Sequence, residues 1–196
     1  MDLSRVAGKF CSTPVYGLDP TTQEWVGLGI NGSVQTYDRF ITERTFGQKK
    51  RVLVTLRDSL IPENISQIRV GDDLEVYLVE SLVPDLSEVV YEVIYSLRQA
   101  KYAAVLCQLQ GAQRLSGVSS ASQEVELENL WIDLERFGGE PSRQIDAVDY
   151  DIYTAVLPRH SQAKVGQYLK VGTQRYRVDA VYPLLDLPTA KVVRYE

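Results

Sequence analysis

Histidine is nearly missing from this chain: His160 is the only one in 196 residues. Cysteine occurs twice, at Cys11 and Cys107, and methionine once. One histidine and two distant cysteines do not make a tetrahedral zinc set. A catalytic base at His160 would need an aligned nucleophile and an orienting acid, and no Gly-x-Ser-x-Gly surrounds any serine. His160, in Leu157-Pro158-Arg159-His160-Ser161, therefore reads as an exposed loop residue. Two cysteines are too few for a disulfide framework. Two reduced thiols are expected; a single bridge stays open only if the two Cα atoms come within about 7 Å.

Long apolar runs are also lacking. The longest apolar-leaning stretch, Tyr102 to Leu109, falls far short of the ~20 residues that span a bilayer. Met1-Asp2-Leu3-Ser4-Arg5 does not open a signal peptide, which needs a basic start followed by an apolar stretch. Neither secretion nor membrane embedding is expected. Positive charge is in deficit, with 21 basic against 26 acidic residues and a net charge of -5. Residues 1–98 carry 14 acids and 10 bases, and residues 99–196 carry 12 and 11. Neither half offers a broad basic face for gripping nucleic acid.

What is present is β-branched and tyrosine-rich sequence, with 12 tyrosines. Such residues suit pleated, half-buried surfaces. Strands are expected over 51–56, 73–79, 89–95, 150–157, 176–182 and 190–195. Leu86-Ser87-Glu88 could also cap a helix through Arg98, but the repeat described below favours a strand through Tyr95. Residues Gln99 to Ala103 read as a helical or irregular connector. Turns are expected at Leu18 to Thr22, and at Val70-Gly71 and Val171-Gly172, each just ahead of a strand. Gly111 to Ser122 and Phe137 to Ser142 read as loops.

The two halves look alike. Ile68-Arg69-Val70-Gly71, a strand, Leu86 and a valine-rich strand match Leu169-Lys170-Val171-Gly172, a strand, Leu187 and a valine-rich strand, 101 residues on. Val52 to Leu56 match Tyr153 to Leu157 at the same offset. Tyr37 to Phe40 match Leu134 to Phe137 at 97, and the cysteines lie 96 apart. Collinear order across loops of changed length points to duplication, because loop length is cheap to alter. The fold class expected is all-β, with two small barrel or sandwich units in tandem, at residues 1–98 and 99–196.

Three motifs resist a catalytic reading. Gly27-Leu28-Gly29-Ile30-Asn31-Gly32 matches G-x-G-x-x-G, but a strand-like segment follows where a phosphate-binding helix is required. A glycine turn in a β-hairpin is the expectation, with no nucleotide. Asp72, Asp73 and Glu75 are too few oxygens for a calcium loop and read as a solvated turn. Glu124, Glu126 and Glu128 alternate along a strand and would share one face, toward solvent or a basic partner. Neither cofactor nor metal is expected. One basic cluster, Arg44, Lys49, Lys50 and Arg51, could meet phosphates, an acidic protein surface or only water.

Each half also resembles the small β-barrel head-closure (stopper) proteins of tailed bacteriophages, part of the head–tail connector. The resemblance rests on Tyr16-Gly17-Leu18-Asp19 through Gln23-Glu24-Trp25, and on Gly32-Ser33-Val34. It continues in Val70-Gly71-Asp72, in Val171-Gly172, in Tyr176 to Val181 and in Ala190 to Val193. It implies a structural virion protein with no enzymatic activity, assembled in the host cytoplasm. It further implies a homo-oligomeric ring joining portal or adaptor to tail tube or terminator around the packaged DNA, and no membrane. Arg44, Lys49, Lys50 and Arg51 would then line the lumen or a partner surface. A typical stopper is a single unit of about half this length, so the tandem arrangement leaves the station open. The alternatives are a tail terminator, hub or other baseplate protein, or a β-barrel nucleic-acid-binding module. An enzyme is the least favoured class.

Overall fold

The computed structural model describes residues 11–36, 51–56, 59–72, 74–83, 92–110, 123–136, 151–183 and 186–195. Among them there is no helix. The chain divides into two compact units, Met1–Ala100 with Pro158–His160, and Lys101–Leu157 with Ser161–Glu196.

The first unit holds six strands: β1 (Thr13–Leu18), β2 (Trp25–Thr36), β3 (Arg51–Leu56), β4 (Gln67–Val70), β5 (Val76–Val83) and β6 (Glu92–Ala100). They pair antiparallel in the order β1-β2-β3-β6-β5-β4, and β4 closes back on β1. The second unit holds β7 (Tyr102–Gln110), β8 (Gln123–Arg136), β9 (Ile152–Val156), β10 (Tyr168–Val171), β11 (Gln174–Tyr182) and β12 (Thr189–Tyr195). Its order is β7-β8-β9-β12-β11-β10, closed from β10 to β7. Strand for strand, this is the pairing order of the first barrel. Closure satisfies every strand on both sides and leaves no edge in either sheet.

Each core comes from its own strands. Val15, Leu53, Ile68, Tyr77, Val79, Tyr95 and Leu97 point into the first barrel. Leu106, Leu130, Ile132, Leu169, Tyr176, Val178 and Val192 fill the second. Val52 and Val54, on the outer face of β3, are covered by Cys11.

The paired residues give a register that the sequence offset only approximates. Ile68 faces Tyr77 across β4–β5, as Leu169 faces Tyr176 across β10–β11. The offset is 101 on β4 (68 to 169) and 99 on β5 (77 to 176). Both β5 and β11 then carry a bulge, at Glu80 and at Asp179. Leu53, opposite Tyr95, corresponds to Ala155, opposite Ala190, which is an offset of 102. The expected offset of 101 there would match core-facing Leu53 to Thr154, on the wrong face, since a one-residue slip inverts a strand. Gly17 opposite Ile68 corresponds to Leu106 opposite Leu169, an offset of 89. The cysteines are therefore not equivalent: Cys11 precedes β1, whereas Cys107 lies within β7. The proposed match of Tyr37 to Phe40 falls outside the described residues.

Two local expectations need correction. Gln99 to Ala103 is not a connector, because only Lys101 separates β6 from β7. Gly27 to Gly32 is not a hairpin turn but the middle of β2. There the register shifts opposite Pro14–Tyr16, and Gly29 takes a φ of 70° in the bulge. The hairpin turn lies at Asp19–Glu24, where Asp19 accepts the amides of Thr21 and Thr22. The two Val-Gly turns occur as expected, Gly71 and Gly172 having φ of 68° and 57°.

Candidate functional site

Arg51 opens β3, and its guanidinium donates to Thr36 Oγ1 at 3.2 Å. The rest of the basic cluster, Arg44, Lys49 and Lys50, lies outside the described residues, as does Asp73. The connection that carries the cluster runs from Thr36 of β2 to Arg51 of β3. Its counterpart in the second barrel runs from Arg136 of β8 to Ile152 of β9, the same station in the strand order.

His160 is exposed, with Nε2 2.8 Å from the carbonyl oxygen of Glu63. Glu75 accepts a hydrogen bond from the Tyr77 hydroxyl. Among the described residues no three His, Cys, Asp or Glu side chains are grouped to hold a metal ion.

The three glutamates of β8 do not share a face. Glu128 pairs with Leu106, a core residue, whereas Glu126 pairs with Cys107 and Glu124 with Leu109. A bulge between the Leu106 and Cys107 pairs turns the strand over. Alternation therefore breaks at Leu127, a reversal that the residue pattern does not reveal. Glu128 is left half-buried, where it accepts the amide of Gln162 at 3.4 Å. Loss of solvent pushes its carboxyl above the usual glutamate range, against the hydrogen bonds from Gln162 and Ser161.

Glu124 and Glu126 face outward and meet bases of their own barrel. Arg175 lies 2.8 Å from Glu124, and Lys170 lies 3.5 Å from Glu124 and 3.7 Å from Glu126. The expected basic partner is thus intramolecular. Beneath them, burial raises the Cys107 thiol pKa, and the neighbouring Glu124 carboxylate adds to the effect. Both cysteines are free and buried.

The first barrel holds a different arrangement at the corresponding place, and sequence reasoning passed over it. Arg69 on β4 pairs with Tyr16 on β1, and Leu18 on β1 pairs with Trp25 on β2. The Arg69 guanidinium carbon sits 5.0 Å from the Tyr16 ring centroid and 5.0 Å from that of Trp25. It is a cation between two π-faces on the outer wall. Gly27 lies opposite Tyr16 on β2. The available signal was alternation, since Ile68 and Val70 flank Arg69 and point inward.

No family model, no curated protein and no solved structure matches this chain.

Proposed function

We propose that the protein is a structural component of a tailed-phage particle, forming a ring in the head–tail connector around the DNA channel. The observation that carries this reading is the repeated barrel. Two closed six-strand units share one pairing order, and the long connections β2–β3 and β8–β9 fall at the same station in each. The sequence of the first of these connections contains Arg44, Lys49 and Lys50, the residues assigned to the lumen or a partner surface in this reading. Closed barrels with side-chain-filled cores act through their outer walls and connections. A ring made of such units is built from repeated heterologous contacts that close on themselves.

Electron microscopy of the purified full-length protein tests it. The expected result is a cyclic assembly around a central pore, alone or on the particle. A protein that stays monomeric at every concentration, and that is missing from purified virions, overturns the reading.

A further inference from the structure

We propose that Arg69, clamped between Tyr16 and Trp25, is the receptor for a carboxylate side chain of a second copy of this chain. The inference rests on the ring reading above and names a contact that would hold copies together.

The first support is the state of the guanidinium. Both rings lie 5.0 Å from the guanidinium carbon, and Nε is buried without a hydrogen-bond partner. No carboxylate among the described residues pairs with it. A planar guanidinium held by stacking loses little entropy on capturing a second planar ion, and its terminal nitrogens match a carboxylate side by side.

The second support is the other barrel. Arg69 on β4 corresponds to Lys170 on β10, because Ile68 and Leu169 occupy matching positions beside them. Lys170 is neutralised by Glu124 and Glu126. Among the described residues, the same outward position thus holds a cation with two carboxylates in one barrel and a cation with none in the other. Two aromatic rings stand beside Arg69 instead, and the carboxylate we assign to it is a neighbouring copy's.

The source follows from the ring reading and from topology. In a ring every copy meets a neighbour, and each carries 26 acidic residues that can supply the carboxylate. Neither barrel has an open strand edge, so copies meet through side chains rather than main-chain pairing. A nucleic-acid phosphate would suit the same guanidinium, and oligonucleotide binding is therefore one arm of the test.

Sedimentation velocity of the full-length protein over a concentration series tests the proposal, with folding checked by thermal melting. Arg69→Gln is expected to weaken self-association by about tenfold or more, within the range of buried interface arginines. Arg69→Lys should fall between, keeping charge but losing the planar fork. Lys170→Gln should assemble as the unaltered protein does. Should Arg69→Gln fail to fold, salt decides: association should weaken steadily with NaCl, and indifference up to about 1 M overturns the contact. A ring unaffected by Arg69→Gln overturns this site and leaves the ring reading standing. An unaltered protein that never self-associates overturns both. Oligonucleotide binding abolished by Arg69→Gln, with assembly unchanged, assigns the site to phosphate instead.

Discussion

Gly17 and Ile65 occupy the same space in the first barrel. A Cβ built on Gly17 would stand 2.6 Å from Ile65 Cγ2 and 2.9 Å from Leu28 Cδ2. In the second barrel the corresponding strand position is Leu106, fully buried, and the residue corresponding to Ile65 is Gly166. The hydrogen bonds beside them confirm the match: Val79 N donates to Ser66 O, and Val178 N to Gln167 O. Bulk has moved from strand to loop segment. A second exchange runs the same way, with Gly32 against Leu53 in one barrel and Ile132 with Ala155 in the other.

Gly17→Ala should therefore destabilise the first barrel by about 1–3 kcal/mol, the usual cost of overpacking. Ile65→Ala alone should cost about 2–5 kcal/mol as a cavity. Combined, they should cost less than the sum, because the alanine methyl enters the space that Ile65 leaves. Denaturant unfolding of the four proteins measures the coupling. Strict additivity would contradict the packing described.

Glu128 makes stability pH-dependent. Its folded-state pKa is raised, so the folded protein binds the proton more tightly than the unfolded chain. Stability is then lost as pH rises from the ordinary glutamate range through the raised value. Glu128→Gln should raise the melting temperature at pH 7 and change it little near pH 4. Melting curves across that range check the sign; a variant destabilised most at neutral pH would refute it.

Both thiols should be slow to react. Cys11 and Cys107 are 3% and 1% exposed, and the Cys107 thiol is held protonated by its burial. Ellman's reagent at pH 8 should titrate neither in the native protein and both in denaturant. Glu124→Gln should speed Cys107 only slightly, since burial outweighs the charge. Rapid native labelling would be evidence against the placement of these residues.

Asp133 is a buried acid, its side chain 1% exposed, and Lys101 Nζ donates to it at 2.9 Å. Lys101→Met should cost about 1–3 kcal/mol, below the loss for a fully buried pair. Lys101 is 45% exposed, and Asp133 has further interactions. Urea unfolding at pH 7 checks it: a variant as stable as the unaltered protein would contradict the pairing.

Much of the fold was legible. The run Arg51 to Leu56 is β3 to the residue, because a β-branched stretch flanked by polar sequence leaves little choice. The Val-Gly turns were legible because a left-handed backbone favours glycine. Faces were harder. Bulges at Leu127, Glu80 and Asp179 each reset the alternation, and nothing in the local residues marks them. The offset at β3 and β9 missed by one, because similarity of type does not distinguish Leu53 from the valines beside it. The candidate site was the least legible. Arg69, Tyr16 and Trp25 lie on three strands, and only barrel closure, which sets β4 against β1, brings them together.

The exchange of bulk between Gly17 and Leu106 bears on how the chain sorts its own strands. Two barrels of one pairing order in a single chain invite misassembly, in which a strand from one half enters the other. A hybrid seating β7 against the Ile65 segment would force Leu106 into occupied space. The reverse hybrid would set Gly17 beside Gly166 and leave a void. Either error is penalised by the core itself, so reciprocal packing acts as an identity tag that sends each strand home.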